Sequence, residues 1–328
     1  MLLLDDLISI SIWNMSRTDR LERRLKLNDL RILLSVIEAG GMGKAAERLG
    51  TSQPAISRAI ADLERVFGVR LLDRSRRGVE PTSYGRALIK RSAAVFDEIQ
   101  QGVRDIEFLA DPTAGELRVG ASIAVAAGFI VAAVNRLTRN HPRLNFHLLA
   151  ADTAMTYRAL QERKIDLAIV HMVEQMPTDE LDAEILFQEP QVVAAAPENR
   201  WARRRTVKLE DLINEPWTLA PLETQIGSLA VEAFRASGLG LPKMLITSSL
   251  PVRQSLVATG RFLTMVPRIV LEFPPGSAAL KRLPIEFPST HRPVGIITVR
   301  DRTLSSVAQL FRDCVREMAK PLVRGGRT

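Results

Sequence analysis

The side chains of this sequence that could bind an anion are concentrated in its first quarter. Between Ser16 and Lys90 there are 16 Lys and Arg residues against 9 Asp and Glu, so this segment carries +7 of the chain's net charge of +8. Arg74, Arg76 and Arg77 fall in one short run, where guanidinium groups suit contact with phosphates or with a DNA minor groove. The asymmetry indicates an N-terminal module that binds a polyanion.

No set of residues in the sequence has the composition and spacing of a catalytic or metal site. The histidines (His141, His147, His171 and His291) lack the spacing of metal ligands, and neither a phosphate-binding GxxxxGK(S/T) loop nor a dinucleotide fingerprint occurs. We therefore expect neither an enzyme nor a cofactor. A small-molecule-binding or enzymatic domain with an incidental basic N-terminus would need a catalytic cluster or an export signal. A purely architectural DNA-binding protein would not need the long α/β half described below.

Length and composition set the broad class of the protein. With 328 residues, 46% apolar and 25% charged, the chain is typical of a soluble globular protein of two or three domains. A single cysteine, Cys314, excludes an intrachain disulfide and fits a cytoplasmic location, and no apolar run is long enough to span a membrane. Residues 1–26 lack the basic start of a signal peptide. We interpret residues 1–26 as a disordered extension, of which residues 1–14 would alternatively be a stretch upstream of a true start at Met15.

The stretch TSQPAISRAI, residues 51–60, predicts a helix that begins directly after Ser52. Ser52 is a good N-cap, and Pro54 is tolerated in the first helical turn because its missing N–H has no partner there. Apolar residues at spacings of 4, 3 and 4 predict one buried stripe. The stripe consists of Ile56, Ile60, Leu63 and Phe67, and the opposite face of Pro54, Ser57, Arg58, Ala61 and Arg65. That opposite face has short side chains near its start and is basic along its length.

Neighbouring segments complete a predicted winged helix-turn-helix. Residues 30–37 mark a first helix that Gly40 ends, and residues 44–49 form a short second helix with small alanines on its packing side. Residues 69–78 indicate an extended wing with the three arginines near its tip. In this motif the helix after Ser52 projects its N-terminal residues into a DNA major groove.

The run AAERLGTSQPAISRAIADLERVFGVRLLDRSRRGVEPTSYG resembles the DNA-binding domain of LysR-type transcriptional regulators in order and spacing. The DNA-facing residues that this resemblance implies are Gln53, Pro54, Ser57 and Arg58. Gln53 would read an adenine edge, and Arg58 a guanine or a phosphate. Gly41 and Gly43 stand where the family usually has Ser or Thr, so we expect a weaker cap on the second helix.

Residues 82–110 are predicted to form one long linker helix, because no proline occurs before Asp111-Pro112. The a/d positions of a heptad pattern along it are Leu88, Ser92, Val95, Ile99, Gly102, Ile106 and Leu109. Either the helix packs on its own domain or a second copy covers this stripe, and we expect the second. LysR-type proteins dimerise through this helix and many form tetramers, so the resemblance implies a dimer or higher oligomer.

The rest of the chain alternates strands and helices, which favours a parallel sheet covered on both faces. Strands are predicted at residues 117–120, 144–150, 165–170, 191–196, 217–220, 244–247 and 294–299. The order resembles the effector domain of LysR-type regulators, which implies an α/β fold of two lobes like type 2 periplasmic binding proteins. The predicted domains are the winged helix-turn-helix at 27–85, the linker at 82–110 and the effector domain at 115–321. Lobe one would comprise residues 115–188 and 293–321, and lobe two residues 189–292.

In such a fold a ligand lies between the lobes, near the carboxyl ends of strands and the N-termini of helices. Candidate residues at these places are Ser122, Thr153 and His171 after strands of lobe one, and Thr224 and Gln225 before a helix of lobe two. A further candidate is Arg261. It lies in the sequence Gly260-Arg261-Phe262, which is similar to the corresponding sequence in a subgroup that includes a regulator of sugar-binding-protein genes. We therefore expect a sugar or a small organic acid as effector, and double-stranded promoter DNA as the macromolecular partner.

Overall fold

The computed structural model describes residues 24–75, 78–172, 179–273 and 280–324. The chain divides into two compact units, with the boundary between Ile99 and Gln100. Nearly all of the extension predicted for residues 1–26 therefore lies outside the described residues. Within those residues, no helix combines the length and the apolarity that a membrane crossing requires.

The first unit consists of helices and a two-stranded wing. Its elements are α1 (Leu27–Ala39), α2 (Met42–Arg48), α3 (Gln53–Phe67), β1 (Leu72–Ser75), β2 (Gly78–Pro81) and the beginning of α4 (Ser83–Ala110). Gly40 ends α1 at φ 70°, in the left-handed conformation that glycine adopts at low cost. The Ser52 hydroxyl accepts a hydrogen bond from the Ala55 N–H at 3.4 Å. The predicted start of α3 is thus confirmed.

The helix α2 begins earlier than the sequence predicts. It starts at Met42 rather than near Lys44, because the Met42 side chain is buried in the core of the first unit. Its N-cap is Gly41, which has no side chain to accept a hydrogen bond from the first turn. The expectation of a weak cap at this point is therefore confirmed.

The wing is a short antiparallel ladder joined to α3. Pairing runs from Leu72 opposite Pro81 to Ser75 opposite Gly78. The Glu64 carboxylate on α3 accepts hydrogen bonds from the backbone N–H groups of Leu71 at 2.8 Å and Leu72 at 3.3 Å. These two bonds position the wing beside α3.

The second unit contains two five-stranded sheets. Its strands are β3 (Ala114–Ser122), β4 (Arg143–Ala151), β5 (Leu167–His171), β6 (Leu181–Glu189), β7 (Gln191–Ala195), β8 (Trp217–Leu219), β9 (Met244–Ile246), β10 (Leu263–Pro267), β11 (Lys281–Arg282) and β12 (Arg292–Val299). Its helices after α4 are α5 (Ile123–Val125), which continues through a π-helical turn (Ala126–Ile130) into α6 (Val131–Asn140), then α7 (Thr153–Gln161), α8 (Gln225–Ala236), α9 (Leu250–Ala258), α10 (Ile269–Glu272) and α11 (Ser306–Arg324). Short 3-10 turns occur at Arg200–Arg203, Leu209–Leu212 and Pro288–Thr290.

Each sheet mixes parallel and antiparallel pairs. The first has the order β4-β3-β5-β12-β6, in which β3 pairs in parallel with β4 and β5 while β12 is antiparallel to both neighbours. The second has the order β11-β7-β10-β8-β9, with parallel pairs at β10-β8 and β8-β9. The strands of the first sheet come from residues 114–189 and 292–299, and those of the second from residues 191–282. A cavity lies between elements of the two sheets.

The prediction of wholly parallel sheets is wrong for β6, β7, β11 and β12. The strand β6 was not predicted, although its sequence LDAEILFQE begins with the alternation of apolar and polar residues that is typical of a strand at a half-exposed sheet edge. The predicted strand at 165–170 is confirmed as β5, all five residues of which are buried. Alternation of strands and helices identifies the α/β class here but does not determine strand direction at the sheet edges.

Candidate nucleic-acid surface and ligand cavity

The helix α3 separates into a buried and an exposed face, as its periodicity predicts. Ile56, Ile60 and Leu63 are buried, whereas Arg58 and Arg65 on the opposite face are exposed. Arg65 pairs with Asp62 at 2.7 Å. Within the described residues, no carboxylate lies within ion-pair distance of Arg58, so its guanidinium group is available to an external anion.

The wing adds a second guanidinium group to this face. Arg74 Nη1 lies 3.5 Å from the Ser57 hydroxyl oxygen, so β1 brings a cation next to the first turns of α3. Gln53 and Pro54 are exposed at the helix start. The structure thus brings together Gln53, Pro54, Ser57, Arg58 and Arg74, whereas Arg76 and Arg77 lie outside the described residues. The assembled surface can donate hydrogen bonds to phosphates and base edges.

The cavity of the second unit has a volume of about 270 Å³. Its polar lining residues are Ser122, Asp152, Thr153, His171, Thr224, Gln225, Ser248 and Arg253, and its apolar ones are Ile123, Ala124, Ala151, Ala220, Pro221, Ile226, Leu250 and Pro267. Five of the six predicted effector residues are therefore brought together. Arg261 is not: it is exposed in the turn before β10 and does not line the cavity.

Three helices begin at the cavity wall, and each has a side-chain cap. Asp152 accepts a hydrogen bond from the Met155 N–H at the start of α7, Thr224 caps α8, and Ser249 caps α9. Gly227 allows the Pro221 carbonyl to approach α8, because a Cβ there would lie 2.0 Å from that oxygen. Helix N-termini carry a partial positive charge, so the starts of α7, α8 and α9 place positive potential at the cavity wall.

His171 and Ser122 form a buried pair at the ends of β5 and β3. The Ser122 hydroxyl oxygen lies 3.0 Å from His171 Nδ1, and the buried His171 Nε2 has no hydrogen-bond partner in the described part of the chain. Burial lowers the pKa of His171 to about 4, so the imidazole is neutral at pH 7. It can therefore accept or donate one hydrogen bond to a ligand but does not neutralise a negative charge.

Elements from the two sheets are joined beside the cavity by Gln225. Its Oε1 accepts a hydrogen bond from the Thr153 hydroxyl at 3.3 Å, and its Nε2 donates to the Met172 carbonyl at 3.3 Å. The Thr153 hydroxyl also lies 3.3 Å from the His171 carbonyl. These bonds connect the start of α8 to the ends of β4 and β5, so they join elements of the two sheets beside the cavity.

Sequence reasoning missed Arg253. This arginine is 6% exposed and lines the cavity, and its buried Nε and Nη1 atoms have no hydrogen-bond partner among the residues that the structure describes. Leu250, Arg253 and Val257 are the buried positions of α9 and follow the i, i+3, i+7 spacing of one helix face. An arginine on an otherwise apolar stripe was the signal that could have identified it.

A second buried cluster holds the end of α4 within the second unit. Asp166 is fully buried, and its carboxylate forms ion pairs with Arg118 at 2.7 Å, Arg302 at 2.9 Å and Arg104 of α4 at 3.3 Å. Burial alone would raise the pKa of Asp166, but hydrogen bonds from Arg118 and the charges of Arg118 and Arg302 outweigh it and lower that pKa. Asp105 of α4 also accepts the backbone N–H of Ser306, at the start of α11, at 2.8 Å.

Two family profiles match this chain and together cover most of it. Residues 110–320 match the family described as "LysR substrate binding domain". Residues 27–86 match "Bacterial regulatory helix-turn-helix protein, lysR family". The first region contains the whole cavity, and the second contains α1 to α3 and the wing.

Similar proteins and structures agree with these matches. The chain is 28% identical over 312 residues to the HTH-type transcriptional regulator GbpR of Azospirillum brasilense, covering 93% of this chain and 90% of that protein. It resembles a full-length OxyR variant from Pseudomonas aeruginosa with a TM-score of 0.64 at 21% identity, covering 89% of this chain and 95% of that one.

A further solved structure, full-length CbnR complexed with its target DNA, has a TM-score of 0.52 at 22% identity and covers 90% of this chain and all of that one. These structural likenesses extend over both units and support the predicted fold class. The profile that spans the cavity alone matches residues 110–320, well over half of the sequence. The chain therefore belongs to the LysR family of DNA-binding transcriptional regulators.

Proposed function

We propose that this regulator binds promoter DNA through the outer face of α3 and responds to a small molecule held in the cavity of its second unit. The observation that carries the DNA-binding half is the exposed Arg58, which has no ion-pair partner among the described residues and directly follows Ser57, the residue that Arg74 contacts. The contacts proposed are Gln53, Pro54, Ser57 and Arg58 with base edges and phosphates, and Arg74, Arg76 and Arg77 with the DNA backbone or minor groove.

A gel-shift titration of the full-length protein tests this surface. The probe is a duplex that the protein itself selects from a random-sequence pool. Arg58→Ala is expected to weaken binding by about 1–3 kcal/mol, because it removes a base or phosphate contact. Arg205→Ala is the matched control, since Arg205 is an exposed arginine of the second unit. If both variants bind as the wild type does, α3 is not the recognition helix.

We propose further that two copies pair through α4. The observation that supports pairing is an exposed apolar stripe in the second half of the helix, formed by Val95, Ile99, Val103, Ile106 and Leu109. Ile106 and Leu109 are 69% and 77% exposed, which is unusual for large apolar side chains. The predicted seam is shorter at its start, because Leu88 and Ser92 pack in the first unit. Higher assembly would add surfaces beyond this stripe.

Light scattering coupled to size-exclusion chromatography tests the pairing. Ile106→Glu places a charge in the stripe and is expected to convert a dimer to a monomer or raise its dissociation constant. Glu98→Ala, on the same helix but at an exposed charged position, is the control and leaves the mass unchanged. A monomeric wild type at micromolar concentration would contradict the proposal.

For the sensing half, we propose that the effector contacts Ser122, Thr153, His171, Thr224 and Gln225. These residues support the proposal because they line one cavity at three helix N-termini. A ligand that binds the closed lobes more tightly than the open ones would shift their equilibrium, and only such a difference in affinity can do so. Arg261 is left out of the set because it lies away from the cavity. We propose that the protein regulates transcription in the cytoplasm and that it binds the effector without converting it chemically.

A further inference from the structure

We propose that the effector is a small organic carboxylate and that Arg253 is the residue that binds its charge. This inference rests on the proposed function, because it specifies the ligand class of the same cavity. It narrows the sequence-based expectation of a sugar or an organic acid, and it assigns to Arg253 the contact for which Arg261 was the candidate.

In the protein without a ligand, Arg253 is buried and unpaired among the described residues. The side chain is almost wholly withdrawn from solvent, its Nε and Nη1 lack hydrogen-bond partners, and in the described part of the chain no carboxylate is within ion-pair distance. Burial lowers the pKa of Arg253, but a guanidinium group remains protonated in proteins. The cavity wall therefore carries a full, uncompensated positive charge.

Burying an unpaired charge costs free energy. An isolated buried cation is strongly unfavourable, so native proteins retain one almost only where it is paired or takes part in function. Here the described residues supply no partner, and the charged side chain faces a cavity rather than a packed core. A ligand with a negative group would complete the pair.

The other groups of the cavity lining also affect which charge a ligand can carry. His171 is neutral, and Asp152, the one acidic residue among the described residues of the lining, already accepts a hydrogen bond from the Met155 N–H at 2.7 Å as the cap of α7. The N-termini of α7, α8 and α9 direct partial positive charge to the same space. The lining therefore offers positive potential from four sources.

The size and the polarity of the cavity restrict the ligand further. A volume of about 270 Å³ is below the range of roughly 300–1,000 Å³ typical of sites for drug-sized ligands. Half of the sixteen lining residues are apolar, so an inorganic anion would leave most of the wall without contact. A neutral sugar would leave the guanidinium unpaired. A compact acid with one carboxylate and a small body satisfies both parts of the wall.

Matched acid and neutral probes test this on the full-length protein by thermal shift at constant ionic strength. The pairs are acetate with acetamide, benzoate with benzamide, and galacturonate with galactose. We expect at least one acid to raise the melting temperature more than its neutral counterpart does at the same concentration. Arg253→Met should weaken that acid about ten- to a hundred-fold, the range for a charge-assisted bidentate contact, and Arg253→Lys less. Arg261→Met is the control and should bind as the wild type.

The stability of the unliganded variants adds a readout that does not depend on choosing a probe. Arg253→Met should melt at or above the wild-type temperature, because it removes an uncompensated buried charge. If Arg253→Met instead melts lower and binds the acids as well as the wild type, the assignment of Arg253 is wrong. Equal shifts by galactose and galacturonate would reject the carboxylate while keeping the cavity as the effector site. No shift with any probe would reject both this inference and the proposed sensing site.

Discussion

Two arginines of the second unit are buried to the same extent, but they differ in their hydrogen-bond and ion-pair partners and in their location. Arg302 and Arg253 are each 6% exposed. Arg302 binds the Asp166 carboxylate at 2.9 Å and donates to the Ile165 carbonyl at 2.7 Å, in the cluster that holds the end of α4. Arg253 has neither an ion pair among the described residues nor a partner for two of its nitrogens, and it lines the cavity.

The difference separates a structural charge from one kept for binding. A buried ion pair is compensated within the protein, so removing one partner exposes the full desolvation penalty of the other. An unpaired buried charge already carries that penalty, so its removal relieves it. The two regions should therefore respond in opposite directions to the same substitution.

The largest effect is expected where the pair is complete. Arg302→Met leaves Asp166 buried with Arg118 and Arg104 as its remaining cationic partners and should destabilise the second unit by about 3 kcal/mol. The measurement is the free energy of unfolding of the full-length protein in urea, followed by tryptophan fluorescence. Trp217 in the core of the second unit reports this transition. Arg253→Met is the matched variant, and a similar loss in both would remove the distinction between the two arginines.

A second prediction concerns the other polar group of the cavity that is buried without compensation. The pKa of His171 is about 4 in the folded state, whereas the ordinary pKa of a histidine is 6.5, so between pH 6.5 and 4 the unfolded state binds a proton that the folded state excludes. Stability contributed by the neutral histidine is thus complete above pH 6.5 and falls as the pH approaches 4. At pH 5 the loss is about 2 kcal/mol relative to pH 7.

The pH effect is measured as the difference between wild type and His171→Asn in urea unfolding at pH 7 and 5. A difference is needed because Glu189, whose pKa burial raises to about 8, contributes the opposite slope in both proteins. His147→Asn, at an exposed histidine, is the control and should match the wild type. If His171→Asn keeps the full wild-type slope, His171 is not the group responsible.

Sequence patterns predicted those parts of both sites that depend on local order. The exposed face of α3 follows from helical periodicity and the Ser52 cap. The cavity residues Ser122 and Thr153 follow from the ends of strands, because parallel strands end at one edge of a sheet. The Asp166–Arg302 pair joins residues far apart in the chain, and it depends on the strand order of the first sheet, which periodicity does not encode. Arg253 required knowing which face of α9 is turned inward.

The smallest effect is expected at the contact that closes the cavity without any charge. Gln225→Ala removes the hydrogen bonds to Thr153 and Met172 that connect elements of the two sheets, and each is long at 3.3 Å. The expected loss of stability is about 1 kcal/mol, because such bonds replace bonds to water.

The same substitution separates the closing of the lobes from recognition of the charge. Ser228→Ala is the control, since its hydroxyl bonds to the Gln225 carbonyl within α8. If Gln225 stabilises the closed arrangement, Gln225→Ala should weaken acid and neutral probes by the same factor, whereas Arg253→Met should weaken only the acids. Selective loss of acid binding in Gln225→Ala would instead place the charge recognition at Gln225. Binding titrations of both variants with benzoate and benzamide therefore decide which contact reads the ligand and which one only holds the lobes together.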